Sequence, residues 1–442
     1  MTNPIQASSD PFADSSRAPH RSSAPGQPHN SGEVMMRNDS DPLDVLVIGA
    51  GQAGLAMGQQ LAGRPVRYLL VDGAPEIGHS WRSRWDSLRL FSPAEYDGLP
   101  GMPFPAPAGA HPGKDDVADY LRSFAERVEL PIRRSTPVNR LHRTDGLFVA
   151  SVPDGVLRAR KVVVATGPFQ KPFVPALSAD CAVPQLHSAD YRNPRQVAGD
   201  ASVLVVGAAN SGLQIAAELA ATHRVVVAAG SRPPQLPQRI LGRDLFRWLD
   251  GVGFFTLPAG GRIGRRLRRR GDLVIGTRTR DLHGAGVEFR PRLTGFAGTG
   301  AHFADGSAAS IDAVVWATGY RSDYHWLQVP GVVTGGVVRH RAGVTDVPGL
   351  SFLGLPWQTS RGSALLGFVG RDAARLAEHI APDRPTSRVQ PAGGATPVGR
   401  AGRPAPAGRR KATGVGPTGA LAAAAADGGR PALRGQVARD SG

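Results

Sequence analysis

Residues 44–54 read Asp-Val-Leu-Val-Ile-Gly-Ala-Gly-Gln-Ala-Gly, and this stretch decides the fold. An apolar, β-branched run (Val45–Ile48) ends in a glycine-rich turn, Gly49-Ala50-Gly51-Gln52-Ala53-Gly54, which opens a helical pattern. In a strand–turn–helix unit each glycine has a separate task. Gly49 permits the tight turn, Gly51 lets the backbone approach a pyrophosphate, and Gly54 lets helix pack on strand. The first amides of the helix, Gln52 and Ala53 among them, then face an anion. The next apolar run, 67–72, ends in Asp72, 23 residues beyond Gly49, where a carboxylate accepts hydrogen bonds from ribose hydroxyls. Residues 43–167 therefore open as a dinucleotide-binding unit.

The same signature returns at Gly207-Ala208-Ala209-Asn210-Ser211-Gly212, after Val203–Val206 and before another helical pattern. Here the following strand, Val225–Ala228, ends without an acid, and Gly230-Ser231-Arg232 follows. A carboxylate would repel a 2′-phosphate, whereas a hydroxyl and a guanidinium suit it, so this second unit is expected to take NADPH. Ala209 stands in place of the second glycine. Two such units in one chain imply two cofactors that meet, with NADPH reducing FAD, and the first unit is assigned to FAD. Two further strand ends, Ala165-Thr166-Gly167 and Ala317-Thr318-Gly319, carry small residues where a chain turns close to a cofactor.

Outward from these turns the chain alternates short apolar runs with helical patterns, which argues for parallel sheets with crossover helices. The expected fold class is α/β: two Rossmann-like domains, with an NADPH domain (168–310) inserted into a discontinuous FAD domain (43–167 and 311–380). A helix is expected to start near Gly362–Ser363. Residues 1–42 and 381–442 hold too little apolar sequence to offset chain entropy and are read as disordered. The net charge of +16 falls in two places: +9 in 232–280 and +7 in 382–442 account for all of it. Arg262–Arg270 is its densest stretch, read as a solvated basic helix or a source of steering toward anions. No stacking motif supports a nucleic-acid partner. The single cysteine, Cys181, excludes an intramolecular disulfide framework and a CxxC redox pair. No run of about 18 apolar residues predicts a membrane span, no leader is apparent at the N-terminus, and a cytoplasmic location is expected. No metal-ligand spacing and no candidate general acid stands out, and the oligomeric state is unread.

With those residues in place, the chain resembles the class B flavin monooxygenases over roughly 43–380. Among these it is most similar to bacterial cation-transport-associated flavoproteins, then to plant indole-3-pyruvate monooxygenases. Besides the two glycine turns, the resemblance rests on GHSWR (78–82), WDSLRLFSP (85–93), LPGMPFP (99–105), ATGPFQKP (165–172), QLHSADYRNP (185–194) and ATGYRSDYHWL (317–327). It implies that Trp81 and Arg82 lie along the flavin. It also implies that NADPH reduces FAD, that reduced flavin traps O2 as a C4a-(hydro)peroxide, and that a small organic substrate is oxygenated at nitrogen, sulfur or a carbonyl. The family fingerprint Phe-x-Gly-x-x-x-His-x-x-x-Tyr/Phe-Lys/Arg is met at His187, Tyr191 and Arg192. Cys181 and Val183 replace its Phe and Gly. Two alternatives stay open: an NADPH–flavin oxidoreductase that reduces a quinone or electron carrier without oxygenation, and a regulatory flavoprotein of low turnover.

Overall fold

The computed structural model describes residues 41–231, 234–270 and 273–382. The two terminal extensions lie outside these residues apart from 41–42 and 381–382, and so does Arg232.

The first sheet is built around β1 (Leu43–Ile48), which pairs in parallel with β2 (Tyr68–Val71) on one side and β6 (Gly155–Val164) on the other. A short β3 (Ile132–Arg133) extends it beyond β2, and the late strand Leu350–Phe352 joins β6 in parallel. Alternation along β1 sends Val45 and Val47 to one face and Leu46 and Ile48 to the other. The first face is covered by α1 (Gln52–Ala62), α3 (Lys114–Arg127) and α8 (Val369–Ile380), through residues such as Leu55, Phe124 and Leu376. The opposite face receives an antiparallel meander of β4 (Arg140–Thr144), β5 (Leu147–Val152) and the first half of β6. The short α2 (His79–Arg82) lies between β2 and α3 in the chain.

The second sheet repeats this plan. A small antiparallel pairing of β7 (Lys171–Pro172) with Tyr320–Arg321 marks where the chain leaves the first sheet and returns. Between these crossovers, β8 (Gln185–His187), β9 (Ser202–Val206), β10 (Arg224–Ala228), Glu288–Arg290 and Ala313–Trp316 form an all-parallel sheet. Helix α4 (Asn210–Leu219) packs beside β9 and β10. A second three-stranded meander, within 293–310, supplies Leu293, Ala301 and Phe303 to the other face. Apolar residues of both sheets join in one continuous core, from Val45 and Leu55 through Tyr191 to Val205 and Leu213.

Three shorter helices complete the framework: α5 (Leu245–Gly251), α6 (Arg262–Arg270) and α7 (Thr279–Gly284). No helix among the described residues is long and apolar enough to cross a membrane.

The helix expected near Gly362–Ser363 begins later, at Val369. The intervening backbone is committed elsewhere. Ser363 Oγ accepts from the amides of Thr359 and Ser360 (both 3.0 Å), and the Gly362 amide donates to Phe255 O at 2.9 Å. Such local bonds compete directly with a helical turn.

Both glycine turns are so close to their neighbours that a side chain has no room. A Cβ on Gly54 would lie 1.8 Å from Gly49 O, and one on Gly212 would lie 1.9 Å from Gly207 O. Gly212→Ala is expected to lower folding stability by about 2–3 kcal/mol, read as a fall in the thermal unfolding midpoint. An unchanged midpoint would show that helix and strand are not in contact there.

Candidate functional site

The two turns share one geometry. At the first, the Gly49 amide donates to Val71 O (2.7 Å), and the Ala165 amide donates to Ile48 O (2.8 Å). At the second, Gly207 donates to Ala228 O (3.0 Å) and Ala317 to Val206 O (2.9 Å). Gly49 and Gly207 have φ of +105° and +119°, and a Cβ on either would lie within 2.6 Å of the carbonyl oxygen of Ala165 or Ala317. Only glycine fits such a position. Nothing lies within 4 Å of the direction in which a Gly51 side chain would project.

No side chain caps α1 or α4, whose N-cap residues are Gly51 and Ala209. Their first-turn amides, from Gln52, Ala53 and Gly54 and from Asn210, Ser211 and Gly212, are therefore left for an acceptor from outside the helix. Asp72 braces the first turn: its Oδ2 accepts from the Ala50 amide at 2.6 Å and its Oδ1 from the Ala74 amide at 2.8 Å. A carboxylate keeps lone pairs beyond these two for a ribose hydroxyl. Beside the second turn Ala228 is followed by Ala229, then by an exposed Gly230 and Ser231.

The other candidates hold varied company. Gln52 Nε2 donates to Ala364 O at 2.9 Å, tying α1 to the segment before α8. Trp81 is half-buried against the first sheet's core. Arg82 turns toward carboxylates, at 3.4 Å from Glu76, 3.3 Å from Asp115 and 2.7 Å from Asp119. Thr166 accepts from Gln170 Nε2 (2.9 Å), Thr318 donates to Phe173 O, and Gly167 and Gly319 both adopt positive φ with open space beyond. Asn210 is a brace: its amide donates to Leu273 O (3.0 Å) and accepts from the Ile275 amide (3.1 Å).

A seam formed largely by residues 84–97 joins the two halves of the molecule. The Asp86 amide donates to Arg192 O at 2.7 Å, Gln238 Nε2 to Phe91 O at 3.0 Å, and Arg247 reaches Glu95 at 3.0 Å. Phe91, Tyr96 and Phe368 pack with Phe246 and Phe255, contributed by the other side. His187 is buried and bonded on both nitrogens, donating from Nε2 to Gly319 O (3.1 Å) and accepting at Nδ1 from the Ala189 amide (3.0 Å). Burial lowers its pKa, which keeps it neutral and structural. Tyr191 is wholly buried and donates to Glu218 Oε2 at 2.9 Å. Cys181 and Val183, which break the fingerprint, pack against the outer face of the second sheet with Leu204 and Trp316.

Comparisons with known proteins give the family of the chain. Residues 46–238 match the pyridine nucleotide-disulphide oxidoreductase family. An oxidoreductase named CzcO-like from Geobacillus kaustophilus is 43% identical over 342 residues, covering 76% of this chain and 98% of the relative. A flavin-containing monooxygenase from Stenotrophomonas maltophilia superposes with a TM-score of 0.65 at 30% identity, covering 77% of this chain and 98% of its own. A probable indole-3-pyruvate monooxygenase of Arabidopsis thaliana is 29% identical over 64% of this chain and 76% of its own. The chain belongs to the CzcO-like oxidoreductases. These are class B flavin monooxygenase-like flavoproteins, so it is an oxidoreductase enzyme.

Sequence reasoning missed two residues of this oxidoreductase. Arg292 reaches the loop after β10, where its Nη2 lies 3.5 Å from Gly230 O, but it is remote from the glycine motif in sequence. Asp97 is buried at the seam, where Oδ1 accepts from Ser92 Oγ at 2.5 Å and Oδ2 has no partner. Burial pushes its carboxyl up to about 7, partly offset by the Ser92 hydroxyl. A carboxyl with a raised folded pKa contributes stability that is complete below pH ~4 and is lost as pH rises toward 7. The thermal midpoint of Asp97→Asn should therefore gain on that of the parent between pH 5 and pH 8. Parallel pH profiles for the two proteins would mean that Asp97 ionises freely.

Proposed function

We propose that this oxidoreductase is an NADPH-dependent, FAD-containing monooxygenase acting on a small organic molecule with O2. The observation that carries the reading is the duplicated glycine turn, each copy backed by the carbonyl of an Ala-Thr-Gly strand end. The first copy, with Gly49, Gly51, Gly54 and the ribose-facing Asp72, fits the diphosphate and ribose of FAD. Thr166 and Gly167 would border it, and Trp81 would lie along the ring. Arg82 serves it by fixing α2 to α3 rather than by direct contact. The second copy, with Gly207, Ala209, Ser211 and Gly212, fits NADPH. Thr318 and Gly319 border that copy, and Asn210 holds the strand behind it. The 2′-phosphate is assigned to Ser231, Arg232 and Arg292, whose guanidinium sits beside Gly230 O.

These two units are read as Rossmann-like domains, the NADPH domain inserted into the FAD domain. We draw the return to the FAD domain after Gly319 rather than at 311, since Ala313–Trp316 is bonded between β8 and β9. When bound, the FAD supplies the redox chemistry, accepting hydride from NADPH and delivering electrons to O2. The chain's own work is to hold both dinucleotides at their helix N-termini, to exclude water at the aromatic seam and to keep the crossover rigid through neutral His187. Oxygenation is favoured over simple reduction by the similarity to a monooxygenase along nearly the whole length of that protein.

Arg292→Ala should raise the KM for NADPH roughly tenfold, as expected for losing one charge-assisted phosphate contact, and leave that for NADH unchanged. Equal losses for both coenzymes would remove Arg292 from the 2′-phosphate site. The oxygenation reading is tested by comparing NADPH consumed with hydrogen peroxide released across a panel of amines, sulfides and ketones. An accepted substrate lowers peroxide well below NADPH consumed and yields an oxygenated product. Stoichiometric peroxide with every compound would replace this reading with a flavin reductase.

A further inference from the structure

Between the second glycine turn and Glu288, the chain carries a segment that neither dinucleotide turn uses. It opens with a hairpin, Arg239–Ile240 against Arg243–Asp244, whose two-residue tip is Leu241-Gly242. Both tip residues have positive φ, +50° and +74°. Leucine is poorly suited to that conformation, at a cost of roughly 1–2 kcal/mol. Its side chain gains nothing in return within the chain, being 88% exposed. Beside the tip, on α5, Trp248 is exposed; its indole donates to Ile240 O at 3.1 Å, and the Arg243 guanidinium lies 5.8 Å from its ring centre. Val252, four residues on, is 76% exposed.

Helix α6 follows, with six arginines in nine residues. It rests on its own lead-in loop through Gly264, where a Cβ would lie 2.2 Å from Pro258 O. Ile263, by contrast, is 63% exposed. Arg262, Arg265, Arg266 and Arg269, spaced at i, i+3, i+4 and i+7, line one open concavity of 510 Å³. Like charges at these spacings repel, each pair costing about 0.2–0.5 kcal/mol. None of the ion pairs formed among the described residues uses Arg262, Arg265, Arg266, Arg268 or Arg269. The helix holds charge that an anionic surface outside the molecule would neutralise.

The apolar residues choose among anionic partners. Nine large apolar side chains are exposed among the described residues, and five of them fall within 240–263, the stretch of chain that leads into this arginine helix. A free phosphate or an acidic peptide answers the arginines and leaves Leu241, Val252 and Ile263 in water. Nucleic acid has one exposed ring, Trp248, on which to stack. A bilayer with anionic headgroups answers both features. Arginines remain at headgroup level, where each contributes about 1 kcal/mol near the surface, while apolar tips enter the acyl boundary.

We propose that the segment 239–269 is a docking surface through which this oxidoreductase associates reversibly with anionic lipid bilayers. The surface is independent of the dinucleotide turns, so the proposal stands apart from the assigned reaction.

The test is co-sedimentation of the full-length flavin-loaded protein with vesicles of phosphatidylcholine alone or mixed with phosphatidylglycerol. Binding is expected to the mixed vesicles, to weaken with salt, and to fall at least ~10-fold when Arg262, Arg265, Arg266 and Arg269 are all changed to Gln. Leu241→Gly relieves the strained tip and so should fold at least as well as the parent. It should nevertheless weaken binding several-fold while NADPH oxidation in solution stays unchanged. Four outcomes would overturn the proposal: no preference for anionic vesicles, full binding by the four-arginine variant, no effect of Leu241→Gly, or arginine-dependent capture of RNA or polyphosphate without vesicle binding.

Discussion

The contact on which the rest of this structure depends is a glycine pressed against a strand-end carbonyl. Gly49 lies over Ala165 O and Gly207 over Ala317 O, each so closely that a Cβ would overlap the oxygen. In sequence, the glycine turn and the Ala-Thr-Gly strand end are separate signatures more than a hundred residues apart. In space they are the two halves of one contact. The small residues of Ala-Thr-Gly allow β1 and β9 to end beside the strands that close their sheets. That proximity keeps the helix N-terminus open and pointed at one place. The helix amides stay uncapped and open because this contact holds the backbone around them, not because glycines are flexible.

The same logic explains which parts of the fold were legible. The apolar runs Val45–Ile48, 67–72, Val203–Val206 and Val225–Ala228 form parallel strands because a strand buried on both faces must be apolar at nearly every position, which needs no partner to be recognised. The two meanders carry no such signature, because most of their strands, Leu147–Val152 excepted, are partly exposed. Arg140–Thr144 carries a buried Leu141 between polar neighbours, and its pairing is set by register across the sheet rather than by composition. The helix α8 starts later than its sequence suggests because the amides of 359–362 are taken by Ser363, Leu257 and Phe255, and the last two are over a hundred residues away in sequence.

Site residues divide along the same line. Those acting through backbone shape, such as Gly49, Gly54, Gly207 and Gly212, sit where the motif puts them. Those acting through side chains depend on long-range partners. Asn210 occupies a phosphate-loop position but spends its amide on the strand Val274–Ile275. Arg82 is drawn off by three carboxylates. Arg292 reaches Gly230 from a different strand end. Cys181 and Val183 depart from the family fingerprint in a layer of apolar packing, where chemistry places no demand on them.

The seam decides how the two halves act as one. The chain crosses between sheets twice, and the crossings lie side by side where Lys171–Pro172 pairs with Tyr320–Arg321. Gly319 O accepts from both His187 and Phe173, so the return crossing is bonded to the second sheet and to the outgoing strand at once. Arg84, from the first sheet's side, donates to the Tyr320 hydroxyl and lies over the rings of Tyr320 and Phe169. Away from the hinge, the latch is the 84–97 segment and its aromatic cluster. Rotation of one half against the other would separate Phe91 and Tyr96 from Phe246, exposing rings now in contact, and aromatic burial is among the larger single contributions in a core. The crossover is thus held by directional bonds, and the 84–97 seam by aromatic contact area. The placement of the two glycine turns relative to each other rests on that pair of constraints rather than on any single side chain.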